Sequence, residues 1–593
     1  MSGGLNGDDS AEIDEVRTSR PGVEGAAADG ATDGVAVTDA AARDAGDAGD
    51  AGDLDDAHDA EDLGDASVEA DVWGARDETD ASGESTGEYS AGALEVEVET
   101  ELKFDAPRRW SMPRLDRVAG IAAVEAPQRF TQTATYLDTL DLDLLRGRHT
   151  LRRRTGGTDA GWHLKTPGDG AGRVEHRLPL GRVSIVPSEL RDLVADLVGD
   201  SALVPVAQLR TRRTRRAVTD EAGAVLVLVE EDAVEATTYV DGERVHRWRE
   251  VEVELVDGTP ADLETVSAAL VASGLVASPH PSKLGRALDE PLSRPVPGKD
   301  DDRSAGAVVL HYLSAQVGVL QGSENRLRED AKSAVHKARV ATRRLRSTLR
   351  TYRALLDRVE TDPLREEITW LTGVLGEPRD GEVQLARIGG LLDSLEPDLV
   401  VDGADVTIRE TLEAEHAQAH ARMVAVLDSS RYERLMADLT DLLLRPPFLP
   451  DASRPATEVL PGLVTKASRA VVTQAKRAAA MPEGPERDEA VHDIRKLAKA
   501  ARYAAEAAGR SAGSSAKDVV GAFTDLQEAL GDHQDSVVSR GVVMRLADQA
   551  RKAGRDTFTY GVLAEREYAL ARSVEARYVP LLQQARKAAK KLR

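Results

Sequence analysis

The sequence predicts a multidomain chain. An antiparallel β-barrel within an α+β domain precedes an all-α helical bundle with an internal two-fold repeat, and both follow a disordered acidic N-terminal tail. Three observations predict this class. Segments between residues 95 and 255 alternate charged and apolar side chains with period two, acidic in some and basic in others. From Ala305 onward the period becomes helical. A basic block at 335–346 returns at 491–502. At 593 residues the chain exceeds the size of a single core, so several domains are expected.

Residues 1–92 are mainly Ala, Gly and Asp, with almost no large apolar side chains. Such a segment cannot bury enough surface to offset its ordering entropy, so it reads as disordered. It holds 26 acids and 4 bases, so −22 of the formal −26 charge lies there. The rest of the chain is nearly neutral, and the acidic balance says little about the folded domains' partners. The tail reads as a solubilising extension. A sharper reading makes it a polyanion mimic that competes for basic sites downstream.

Residues 93–290 form the first folded domain. In Glu95-Val96-Glu97-Val98-Glu99-Thr100-Glu101-Leu102-Lys103 the residues alternate strictly. Successive strand side chains point to opposite faces, so Glu95, Glu97, Glu99, Glu101 and Lys103 share one. Carboxylates that close repel one another, and a divalent cation would relieve the repulsion. One acidic strand alone would also suit a solvated edge. Later segments repeat the device: Arg152 with Arg154, His163 with Lys165, Glu175 with Arg177, Arg210 with Arg212, Glu230 with Asp232, and Glu250 with Glu252 and Glu254. Many strands with charged faces of both signs suggest a barrel whose polar face is the lumen. Acids there would hold metal, and bases would hold a polyanion.

Glu99-x-Glu101-x-Lys103 resembles the signature of the CYTH superfamily, also called triphosphate tunnel metalloenzymes. Tyr136-Leu137-Asp138-Thr139, Leu151-Arg152-Arg153-Arg154, Leu164-Lys165-Thr166, Glu250 to Glu254 and Ser282 to Leu288 resemble its later motifs, in the family's order. The resemblance implies a two-ended tunnel that takes a linear triphosphate and hydrolyses a phosphoanhydride with a divalent metal. The candidate catalytic set is Glu99, Glu101, Lys103 and Lys165. Glu99, Glu101, Glu252 and Glu254 are the candidate ligands for Mg²⁺ or Mn²⁺, ions that suit hard oxygen donors. Arg152, Arg154, Arg210, Arg212 and Lys283 are candidates, with Lys103 and Lys165, to hold the phosphate chain. Arg suits bidentate phosphate contact, and Lys acts as a point charge.

Residues 291–304 carry Pro291, Pro295, Pro297, Gly298 and a charged run, and read as a linker. Residues 305–593 are the helical domain. His336, Arg339, Arg343 and Arg346 align with His492, Arg495, Lys499 and Arg502 at identical spacing. At 100° per residue each set falls within an arc of roughly 80°. The other side of each helix is apolar or small: Ala338, Ala341 and Leu345, then Ile494, Leu497 and Ala501. Solvated helix faces usually mix signs, yet no Asp or Glu occurs from Lys332 to Arg353. An anionic ligand explains that choice. A second block also repeats: Leu375-Gly376-Glu377-Pro378-Arg379-Asp380 matches Leu530-Gly531-Asp532-His533-Gln534-Asp535. Asp380 and Asp535 would orient the basic residues or cap helices. These blocks resemble the CHAD domain, and the resemblance implies polyphosphate binding by the two stripes. The sequence departs from the family pattern at Gly381-Glu382 and at Gln534.

Several classes are excluded or set aside. The chain has no cysteine, which excludes disulfides and thiolate metal sites. Aromatic residues make up 3% of the chain, so base stacking has little to work with, and no specific nucleic-acid partner is expected. No long apolar run would span a bilayer, no membrane partner is expected, and the start of the chain does not read as a secretory signal. A cytoplasmic location is the expectation. The leading function is hydrolysis of inorganic triphosphate or short polyphosphate, joined to polyphosphate binding and to association with polyphosphate granules. The alternatives are a thiamine or nucleoside triphosphatase, a CYTH-type adenylate cyclase, and a non-catalytic polyphosphate-granule scaffold.

Overall fold

The computed structural model describes residues 94–168, 173–181, 185–240, 242–294, 303–331, 333–482, 485–513 and 515–592. The tail at 1–92, expected to be disordered, and the middle of the expected linker, 295–302, lie outside the described residues.

The first domain is an antiparallel β-sheet with short helices. Its strands are β1 (Glu95–Glu99), β2 (Glu101–Asp105), β3 (Ala123–Val124), β4 (Gln128–Asp138), β5 (Thr150–Thr155), β6 (Gly161–Pro167), β7 (Arg173–Leu178), β8 (Val204–Thr219), β9 (Val225–Thr238), β10 (Arg244–Leu255) and β11 (Val276–Ala277). Its helices are α1 (Asp143–Arg146), α2 (Ser188–Asp192), α3 (Ala195–Val198), α4 (Pro260–Ala272), α5 (Lys283–Ala287) and α6 (Asp289–Ser293). The strands pair in the order β1-β7-β6-β5-β4-β8-β9-β10-β2-β11, and β3 adds to β8. The long acidic strand expected at 95–103 is thus two strands, separated by Thr100 alone. They pair with different neighbours, β1 with β7 and β2 with β10.

Opposed residues of an antiparallel pair share a face, so the register can be followed from strand to strand. Glu97 opposes Glu175, which opposes Lys165. His163 opposes Arg152, which opposes Tyr136. Arg213 opposes Asp232, which opposes Glu250, and Glu252 opposes Lys103. One face of the sheet is therefore charged along most of its width. The other face is apolar where a helix covers it. Val251 and Val253 of β10 are buried with Phe104 of β2 beneath Leu263, Val266 and Leu270 of α4. The sequence starts α4 clearly: Pro260 sits in its first turn, and Thr259 and Asp262 form a reciprocal capping box.

The second domain is all-helical: α7 (Ala305–Arg328), α8 (Ala334–Thr351), α9 (Arg358–Val374), α10 (Gly376–Asp393), α11 (Ala404–Leu427), α12 (Ser430–Leu444), α13 (Ala456–Ala479), α14 (Pro485–Ala508), α15 (Ser515–Lys552) and α16 (Phe558–Ala589). Helix α7 lies on the β domain. Its Val308, Val309, Leu313, Val317 and Leu320 share one apolar cluster with Val204, Val206 and Leu209 of β8. Gln321 accepts from the Leu203 amide at 3.0 Å and donates to the Leu203 carbonyl at 3.1 Å. Asp141 takes both His311 (2.9 Å) and Arg303 (3.1 Å).

Gly318 shows how close this contact is. A Cβ on it would lie 2.0 Å from the Asp200 carbonyl oxygen, which is backbone and cannot swing aside. Gly318→Ala is expected to destabilise the docked protein by about 1–3 kcal/mol through overpacking. Gly390→Ala, in a helix with open space around it, should stabilise it by about 0.5–1 kcal/mol. Equal melting temperatures for the two variants would contradict the docking of α7.

Candidate active site

The charged face lines a cavity of about 370 Å³. Nine lysines and arginines and seven carboxylates border it. Strand parity puts them there. Glu99 of β1, Glu101 and Lys103 of β2, Arg152 and Arg154 of β5, Lys165 of β6, and Glu252 and Glu254 of β10 all line the cavity, as does Lys283 from the start of α5. Ser282 caps that helix by accepting from the Gly285 amide at 2.9 Å, which fixes where Lys283 emerges.

Most of these cations are paired with carboxylates. Lys165 bonds Glu99, and Lys103 bonds Glu252 and lies 2.8 Å from Glu101. Arg152 reaches Glu175 at 3.2 Å, and Arg154 bonds Asp159. His163 stands between Glu175 and the Asp159 carbonyl, 3.2 and 2.9 Å away; both are acceptors, so the neutral ring donates to one of them. Arg173 is different: it donates to the Arg148 carbonyl at 3.0 Å and pairs with no carboxylate among the described residues.

Arg210 and Arg212 are a correction. Both are exposed, on the side of β8 that points away from the cavity. The cavity takes Arg213 and Arg215 instead. Arg213 is held by Asp232 at 2.7 Å, Glu252 at 2.9 Å and also Glu230, and Arg215 meets Glu230 at 2.7 Å. Arginines occupy both faces of this strand, so alternation alone left the choice open. Its buried neighbours Leu209 and Thr211 carry the parity signal that picks Arg213 and Arg215. Tyr136, which receives a hydrogen bond from Arg152 at 3.3 Å, also enters the cavity.

Two acidic regions of the charged face differ in their charge balance. Asp232, Glu250 and Glu252 are buried, and their ligand atoms lie within 4.8 Å of one another, consistent with a divalent metal site. The Lys283 ammonium already stands among them, at 3.1, 2.7 and 2.6 Å. Burial opposes ionisation of Glu252, but Lys103, Lys283 and Arg213 outweigh it and hold its pKa well below the usual carboxylate range. Glu254 is the opposite case. Burial, with Glu230 and Glu99 nearby, pushes its pKa up to about 7. Burial also raises Glu99, and Lys165 offsets this only in part. Added positive charge is therefore worth most beside Glu254 and Glu99.

In the helical domain, α8 and α14 bring the two cationic stripes together. Arg339 lies against Gly376, with 3.8 Å from its guanidinium to an added Cβ, and Arg495 lies against Gly531, with 3.1 Å. Arg339 is ion-paired with Asp380. Arg343 and Lys499 each feel the charge of Arg339 and Arg495. His336 is exposed at the start of α8, and His492 is half-buried on α14. Arg346 reaches Thr369 at 3.4 Å, while Arg502 turns to Glu506 at 3.5 Å and stacks over Tyr503. No described helix is long and apolar enough to cross a membrane.

Residues 97–283 match the CYTH domain family and residues 311–544 the CHAD domain family. Uncharacterized proteins of two Mycobacterium tuberculosis strains are 34% identical over 511 residues, which covers 84% of this chain and 98% of theirs. Among solved structures, PptA from Streptomyces chartreusis is similar at 24% identity and TM-score 0.40, over 47% of this chain and 99% of that one. The CHAD domain from the plant Ricinus communis is similar at 24% identity and TM-score 0.38, over 50% and 94%. The chain thus belongs to the family of proteins in which a CYTH domain, of the triphosphate tunnel superfamily, is followed by a CHAD domain.

Proposed function

We propose that the β domain hydrolyses inorganic triphosphate or short polyphosphate with Mg²⁺ or Mn²⁺, and that the helical domain binds longer polyphosphate. The observation that carries this reading is the cavity itself, where nine cations and seven carboxylates interleave on one continuous face. In this reading the sheet closes into a tunnel at the Thr100 junction, because β1 and β2 are joined there while pairing with different neighbours. The helical domain is read as a two-fold repeat, supported by the matched seating of Arg339 on Gly376 and Arg495 on Gly531.

Glu99, Glu101 and Glu254, with Glu252 beside them, would hold the metal. A divalent ion held there would supply charge neutralisation for the phosphoryl group and help to activate water. The chain's own residues do the positioning. Arg152, Arg154, Arg213 and Arg215 converge from β5 and β8 on the space where a phosphate chain would lie, and Lys165 faces it from β6. Each is paired to a carboxylate, so a bound phosphate chain would exchange with ion pairs that already exist. Their geometry is thereby set before substrate arrives, the condition for electrostatic stabilisation without reorganisation. Glu175, which His163 also meets, holds Arg152 and Lys165 from behind.

The corrected parity gives a direct check. Arg215→Ala is expected to lower kcat/KM for triphosphate roughly tenfold or more, the loss of one charge-assisted contact. Arg210→Ala and Arg212→Ala should leave it unchanged within about twofold, as for exposed substitutions. The reverse pattern would put the site on the other face of β8. Substrate class is read from phosphate release with triphosphate, ATP, thiamine triphosphate and long polyphosphate, each with Mg²⁺ and with Mn²⁺. Triphosphate as the preferred substrate supports the proposal. Preference for an organic triphosphate overturns it, and no release from any of them leaves only a binding role.

A further inference from the structure

Where α8 and α14 meet, two basic side chains, Arg343 and Lys499, make no ion pair with a carboxylate among the described residues. Their neighbours differ in this respect, since Arg339 is paired with Asp380 and Arg344 with Glu506 at 3.0 Å. Lys499 faces Arg343 and Arg339 from α8 and Arg495 from its own helix, and Asp535 of α15 faces it as an acid. Arg343 faces Arg339, Arg495, Arg346 and Tyr503. Both side chains are half-buried, so they reach solvent yet have lost much of their hydration.

Four like charges gathered this way repel, and the two kinds of group respond differently. A guanidinium stays charged at neutral pH whatever its surroundings, whereas an ammonium can release a proton. Burial lowers the Arg343 pKa, and Arg339 adds to the effect, but it reaches only about 10. Burial, then Arg495, Arg343 and Arg339, lowers Lys499 to about 6. The fold thus relieves its own repulsion at Lys499. A bound polyanion reverses the balance, because it favours the ammonium.

We propose that the α8–α14 groove is a proton-coupled anion site, in which Lys499 takes up a proton when polyphosphate binds. The proposal rests on the polyphosphate-binding reading above and adds regulation to it. The sign follows from linkage. Below about pH 6 Lys499 is already charged in the free protein, and affinity is insensitive to pH. Above that, affinity falls by up to about tenfold per pH unit until the lysine titrates in the complex as well. The groove would therefore hold polyphosphate tightly in acid and release it as pH rises.

The test is calorimetric titration of the full chain with long-chain inorganic polyphosphate at pH 7.5, in buffers of different ionisation enthalpy. Internal phosphates of a long chain stay ionised in this range, so proton uptake reports the protein. About one proton taken up per groove is expected. Lys499→Arg should bind with little uptake and a flat pH dependence. Lys499→Met removes an amine whose charge the fold already disfavours, so it should fold well, bind less tightly at pH 6 and show no uptake. Binding without uptake by the parent overturns the proposal. Uptake that persists in both variants also overturns it, and assigns the proton to histidines such as His336. No binding at any pH overturns the polyphosphate reading beneath it.

Discussion

Glu254→Gln is expected to lower metal-dependent triphosphate hydrolysis by at least about 100-fold while the protein stays folded, the scale seen when one preorganised electrostatic group is removed. Glu101→Gln should do the same. The Glu254 carboxyl is buried beside Glu230 and Glu99 with too little positive charge, and its pKa is about 7. A glutamine resembles its protonated form, so the fold gives up little. Without metal, a carboxyl whose folded pKa is raised stabilises the protein below its unfolded value and loses that contribution as pH rises through about 7. Divalent metal should shrink this loss in the parent and have little effect in Glu254→Gln. Thermal unfolding across pH 5–8, with and without Mn²⁺, measures this beside phosphate release. Full turnover in both variants at saturating metal would remove the cavity from consideration as the active site.

Charge reversal in either cationic helix should abolish most polyphosphate binding. Arg339→Glu with Arg343→Glu changes the groove by four charge units, as does Arg495→Glu with Lys499→Glu when Lys499 is protonated. At about 1 kcal/mol per unit in contact with solvent, the loss is roughly 100-fold or more at low salt. A long chain that touches both stripes gains from their effective concentration, so either pair alone should have this effect. Triphosphate hydrolysis should hold within about twofold, since none of the four residues lines the cavity. Binding isotherms and triphosphatase rates on the same preparations decide it. Unchanged binding in both double variants would make the stripes solvated helix faces. A collapse of hydrolysis with folding intact would mean that the docked domains share one site, which the continuity of their apolar cluster makes worth measuring.

The charged strands were legible because period-two alternation is a direct consequence of backbone geometry. Glu99, Glu101, Lys103, Arg152, Arg154, Lys165, Glu252 and Glu254 all reached the cavity for that reason. Alternation fixes which residues share a face but not which face is inward. In Arg210-Thr211-Arg212-Arg213-Thr214-Arg215-Arg216 both faces are basic, and the inward one was set by packing against β4 and β9. Arg173 and Asp159 were harder still, since their roles depend on where a strand and a loop end rather than on any period. The docking of α7 was also illegible. Its helical period shows one apolar face, but that face reaches β8 as well as other helices, and only the structure pairs Gly318 with the 199–203 turn. The first stripe was legible because a cationic run without acids has no local stability reason, and the second because it repeats the spacing of the first. That Lys499 has no ion pair among the described residues depends on three helices meeting and was not legible.

The most direct measurement is the location of Mn²⁺ by anomalous diffraction in crystals of the protein grown with triphosphate. The account predicts a peak at coordination distance from carboxylates among Glu99, Glu101, Glu252 and Glu254, with phosphate between Arg152, Lys165 and Arg213. A peak elsewhere, or triphosphate held only in the α8–α14 groove with the cavity empty of both, would contradict it.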